Sequence, residues 1–125
     1  MPPKLDELVV DEGELNRDLL AGILSPYVRL ARTDGRPIFT GEFRRLSASQ
    51  RTLVYLLARK AAISLQLSSG DASATPKEIA DSTGVPHGTI KPVVIELVKK
   101  GMLLGEKGRY SVPSHALISI KEVFE

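Results

Sequence analysis

Four consecutive residues, Thr75, Pro76, Lys77 and Glu78, constrain this chain more than any others. A hydroxyl at an N-cap, a proline at the first helical position and a glutamate three residues on are separate ways of starting a helix, and here they coincide. The helix they begin is stopped by Gly84, which tolerates the positive φ favoured just past a last helical turn. On either side of the stop, Ile79, Val85, Ile90, Val94 and Leu97 stand at the spacings that bury one face of each of two successive helices against the other, and Ala80 is small where those helices would cross. The spacing predicts a second helix over about 86–100.

The rest of the chain reads as elements around that pair. Asp11 and Glu14 have capping-box spacing, and Leu15, Leu19, Leu20, Ile23 and Leu24 recur at helical intervals until Pro26 forbids continuation, so a helix is expected over about 12–24. Residues 27–31 and 37–40 are β-prone and flank Asp34-Gly35, a dipeptide suited to a tight turn, which predicts a β-hairpin. Ser47 and Gln50 form a second capping box ahead of a broad apolar stripe, Leu53, Val54, Leu56, Leu57, Ala58, Ala61 and Leu65, with Arg51, Arg59 and Lys60 outside it; the helix extends over about 48–66. The small polar stretch 68–74 is a loop with room for a very short strand at its end. Ser114 is placed to cap a last helix whose apolar positions are Leu117, Ile118, Ile120 and Val123.

From Thr75 to Val112 the chain reads TPKEIADSTGVPHGTIKPVVIELVKKGMLLGEKGRYSV, which resembles the winged helix-turn-helix superfamily of transcription regulators. The resemblance implies a mainly α fold with small β: the helix at about 48–66 precedes the motif, the helix after Pro86 is its recognition helix, Leu103-Leu104 and Arg109 to Val112 are the wing strands around a Gly105 to Gly108 turn, and a final helix follows. It covers residues 47–124, so the chain divides into an N-terminal helix and β-hairpin extension, 1–46, and a winged-helix domain, 47–125. A terminal helix in such folds often packs on the core or pairs two subunits, which allows a homodimer.

The function the resemblance implies is double-stranded DNA binding, with the recognition helix in the major groove. His87, Thr89 and Lys91 would lie nearest the base edges, with Lys99 further along the helix. Lys107 and Arg109 in the wing would reach a flanking phosphate or the minor groove, and Arg44, Arg45 and Arg51 could add phosphate contacts if they share that face. Charge is unevenly spread. Residues 1–26 hold two basic against six acidic side chains, a net −4; residues 27–66 hold eight against two, a net +6; residues 67–125 balance at seven each.

Three positions depart from the superfamily pattern. Pro86 stands where many relatives carry a capping Ser or Thr. Pro92 lies within the recognition helix, where it removes one backbone hydrogen bond and should kink the axis unless the helix begins later. Val93 and Ile95 are apolar where the superfamily is usually polar, which points to the alternative: a protein-interaction module, or a fragment or subunit of a larger assembly, docking through those two residues and the 27–40 hairpin.

Other classes find no support. The chain has no cysteine, so disulfide, thiolate and Cys-zinc chemistry are excluded. His87 and His115 are far apart and lack an acidic ligand pattern, and no nucleophile elbow, His–carboxylate pair or phosphate-cradling loop occurs, so neither metal, cofactor nor enzymatic activity is expected. No apolar run approaches a bilayer span and the first residues are not signal-like, which fits a cytoplasmic protein without membrane contact.

Overall fold

The structure is a computed structural model and describes residues 4–125. The described chain is mainly α with small β: five helices, α1 (Glu12–Leu24), α2 (Ala48–Ser64), α3 (Pro76–Thr83), α4 (His87–Lys99) and α5 (Leu117–Val123), and two antiparallel hairpins, β1 (Val28–Leu30) with β2 (Pro37–Phe39) and β3 (Leu104–Glu106) with β4 (Arg109–Ser111). Short 3-10 turns occupy Leu5–Leu8, Gly41–Arg45 and Ser114–Ala116.

α2 is the centre of the molecule. Seven consecutive residues, Thr52 to Ala58, are buried, so its stripe is wider than one face, as expected of a helix packed on several sides. α1, α3, α4 and the first hairpin all pack on it. Its start is the full capping box of Ser47 and Gln50, with Gln50 N donating to Ser47 Oγ at 3.2 Å and Ser47 N to Gln50 Oε1 at 3.0 Å. Only half of the corresponding box forms on α1, where Glu14 N donates to Asp11 at 2.9 Å. One hydrophobic cluster runs from Leu20, Ile23, Leu24, Val28 and Phe43 through α2, α3 and α4 to Leu117 and Ile120, so residues before and after position 46 share a core. No helix among the described residues is long and apolar enough to cross a membrane.

Several boundaries differ from expectation. α2 ends at Ser64, and Leu65 is half exposed beyond it. Ser114 does not cap α5; it begins a 3-10 turn, and α5 starts at Leu117 without a side-chain cap. Ile118 is 60% exposed, because burial in α5 falls on Leu117 and Ile120, three apart, and position 118 is turned away from both. In the second hairpin the turn is only Lys107-Gly108, both at positive φ (52° and 76°), so Gly105 and Glu106 belong to the strand. Gly105 pairs with Tyr110, whose ring lies so close that a Cβ at 105 would sit 2.9 Å from it.

Candidate functional site

α3 and α4 are joined by a three-residue connection. Gly84 takes φ 77° and its N–H donates to the Ala80 carbonyl at 3.0 Å, while the buried Thr83 hydroxyl donates to Ile79 O and accepts from Val85 N at 3.3 Å. Val85 then plugs the corner between the helices, and Ile90, Val94 and Leu97 fix which face of α4 is buried. Everything else on α4 is set by that choice.

Residues four apart form a row on a helix surface, so His87, Lys91, Ile95 and Lys99 make one exposed line along α4. Thr89 is exposed beside its start. Pro86 stands at the N-cap and supplies no side-chain acceptor, so no side chain covers the first N–H groups of α4. The helix continues through Pro92 from His87 to Lys99. The hydrogen bond lost at Pro92 belongs to the carbonyl of Gly88, which is exposed and can turn to water. Val93 is not exposed: it is half buried and packs on the core, so of the two aliphatic residues singled out on α4 only Ile95, 52% exposed, faces outward.

The β3–β4 hairpin flanks the second half of α4. Ile95, Val98 and Lys99 of α4 and Glu106, Lys107 and Tyr110 of the hairpin line one cleft of about 410 Å³. Lys99 and Lys107 thus come from different elements to the same cleft, with Lys91 further along the α4 row. Lys100 is held by Glu96, 3.2 Å away, one turn back.

Arg109 lies at the other side of the hairpin and is turned inward. Its Nε donates to Ser73 Oγ at 2.8 Å, Nη2 to the Ser73 carbonyl at 3.0 Å and Nη1 to Glu78 Oε1 at 3.2 Å. Glu78 also accepts from the N–H and hydroxyl of Thr75, so one carboxylate closes the cap of α3 and ties down β4. Ala74 and Tyr110 exchange backbone bonds at 2.9 and 2.8 Å, which makes residue 74 a one-residue third strand. Partial burial pulls the Glu78 carboxyl upward, but the N–H and hydroxyl of Thr75 and the guanidinium of Arg109 outweigh it and hold the group below its ordinary value. Asp71 is likewise lowered, first by the Ser73 hydroxyl and then by the Ser73 N–H, with Arg109 and Arg59 adding to it.

Arg44, Arg45 and Arg51 gather elsewhere, around the start of α2, where Gln50 reaches the Val123 carbonyl at the end of α5. Arg51 is half buried, stacks 5.7 Å from the Phe43 ring centre and donates to the Arg44 carbonyl. Arg45 pairs with Glu42 at 3.5 Å, and Arg44 is exposed. Among the described residues no hydrogen bond or ion pair connects these three to α4 or to its hairpin. The inward roles of Arg109 and Arg51 carry no local sequence signal, since their partners lie across the fold or in the backbone.

Comparison with models of known families, with curated proteins and with solved structures finds no match for this chain.

Proposed function

We propose that residues 47–124 form a winged helix-turn-helix, with α3 and α4 as its helix pair and β3–β4 as its wing, and that it binds double-stranded DNA as a transcriptional regulator. The observation that carries this reading is the convergence of Lys99 from α4 and Lys107 from the hairpin turn on one cleft, in line with Lys91. Cations drawn from a helix and from a wing tip suit a duplex, whose groove accepts the helix while the flanking backbone meets the wing. The α4 N-terminus supports it further, because its positive end is covered by no side chain and is available to a phosphate. His87 and Thr89 are the side chains closest to that end and are assigned to base edges; Arg109 is assigned to holding the wing in place.

A second reading has one observation in its favour. Ile95 sits exposed in the middle of the basic row, with the partly exposed Val98 lining the same cleft, and an apolar centre with a basic rim is the composition of a protein-docking patch. The two readings separate in one titration. Anisotropy of a labelled duplex, followed across salt concentration, should show affinity falling log-linearly with salt. Absence of binding at low salt would leave the docking patch as the better account.

A further inference from the structure

The described residues crowd four exposed aliphatic side chains into six consecutive positions: Leu5 at 83%, Leu8 at 70%, Val9 at 79% and Val10 at 57%. They ride on the 3-10 turn Leu5–Leu8 and the extended residues leading to Asp11, and the backbone bonds of this arm, Glu7 N to Lys4 O and Val9 N to Asp6 O, are made within it. The arm is also net acidic, with Asp6 and Glu7 against Lys4, and Asp11 and Glu12 follow it at the start of α1. So concentrated an apolar surface in a soluble segment marks a contact that this single chain does not make.

A surface of matching chemistry lies at the far end of α1. A groove of about 550 Å³ opens between the second half of α1, β1 and the end of α2; Leu20, Leu24, Leu30 and Leu65 supply its apolar lining, and Arg17 and Arg29 are its cations against the lone carboxylate Asp18. Apolar and acidic on one side meets apolar and basic on the other.

Geometry selects whose arm enters whose groove. The arm leaves the N-terminal end of α1, whereas the groove follows the C-terminal half of that helix, and a 13-residue helix is about 20 Å long. Reaching its own groove would require the arm to double back at Asp11, where the capping bond to Glu14 N fixes an extended N-cap. In a second copy with α1 antiparallel to the first, the start of one helix falls opposite the end of the other. Each arm then meets its partner's groove with no change to either core, and the two contacts are identical by symmetry.

We propose that residues 4–10 dock in the groove of a second copy, so that the chain forms a two-fold dimer by reciprocal exchange of N-terminal arms. The dimer needs no nucleic acid, so its failure and that of the DNA reading are separately visible.

The test is sedimentation velocity of the full chain from about 1 to about 100 µM without DNA. The wild type should sediment as a dimer in the upper part of that range. A Leu8→Asp, Val9→Asp double variant removes the arm contact and Ala21→Trp plugs the groove; all three positions are exposed, and circular dichroism should show both variants folded. Each should weaken association by at least about tenfold. Mixed together, one variant offers an intact arm and the other an intact groove, so the mixture should associate more tightly than either alone. A synthetic peptide of residues 1–12 should dissociate the wild-type dimer. A wild type that stays monomeric over the whole range overturns the proposal, as does a dimer indifferent to the arm substitutions. An arm folded onto its own groove would appear as a concentration-independent monomer whose arm is cleaved faster in Ala21→Trp, and this too overturns it.

Discussion

Arg109 and Glu78, thirty-one positions apart, meet at 3.2 Å, and the same carboxylate oxygen accepts from both Thr75 donors. The start of α3 and the position of the second hairpin are therefore set by one group. Replacing Arg109 by Ala should cost about 1–2 kcal/mol, mostly from the lost bonds to Ser73, because a pair with both side chains about 40% exposed adds little as charge alone. Denaturant unfolding measures the loss. Hydrogen exchange at the Tyr110 amide, which bonds to Ala74, should speed up with it.

The same cluster makes the hairpin acid-sensitive. Glu78 and Asp71 titrate below their ordinary values of 4.5 and 3.8 in the folded chain, so the unfolded chain binds protons first as pH falls. Their contribution to stability is complete above about pH 5 and is lost as pH drops through the folded values. Melting temperature measured from neutral pH downward should fall in that acid range, and Glu78→Gln should flatten the fall while lowering the neutral-pH plateau. A variant with unchanged acid dependence would remove Glu78 from this account.

If α4 and the second hairpin bind DNA, the salt slope should report which lysines meet phosphate. Lys91→Ala, Lys99→Ala and Lys107→Ala should each reduce the magnitude of the log–log slope by up to about 0.9. Arg45→Ala, in the 3-10 turn ahead of α2, should leave the slope unchanged. Equal effects from all four would mean a diffuse attraction to a basic surface instead of a defined face.

Lys107 holds φ 52° at the hairpin tip, a conformation unfavourable for a long side chain. Lys107→Asn should raise stability by about 0.5–1 kcal/mol, since an Asn-Gly pair suits a two-residue turn with both φ values positive. The same change should weaken duplex binding. Opposite signs in melting and anisotropy would mark the tip as a place where a charge is kept at the expense of local strain; a loss in both would show that Lys107 stabilises the hairpin.

Gly35 and Gly84 have nearly the same φ, 75° and 77°, but different surroundings. A Cβ at 35 would lie 2.9 Å from the Ala62 Cβ, while one at 84 meets nothing within 4 Å. Gly84→Ala should cost about 1 kcal/mol for the backbone alone, and Gly35→Ala more, because the first hairpin must also lift from α2. Thermal melts of the two variants side by side decide it.

These contrasts show what kind of information the sequence carries. The capping residues of α1, α2 and α3, Pro26 and Gly84 act within a few positions, so they can be read directly. Asp34-Gly35 announces a bend, but not that Ala62 presses against it. Val93 looks exposed from the pattern of α4 and Ile118 looks buried from the composition of α5; which face of each helix is covered depends on neighbours far along the chain. Arg109 and Arg51 are the sharpest cases. As residue types they suit phosphate, and only their placement beside Ser73 and Glu78, or over Phe43, directs them inward.

α5 packs on α1, with the Tyr27 and Phe124 rings 5.6 Å apart at one end of the contact. In order of synthesis, this joins the first and the fifth α-helix of the described residues. α1 can be extruded and even helical before its partners are made; α2 covers part of its apolar face first, and the remainder stays open until Leu117 and Ile120 appear. A chain stalled before position 117 would therefore carry an α1 packed on α2 but still open on the side that α5 covers.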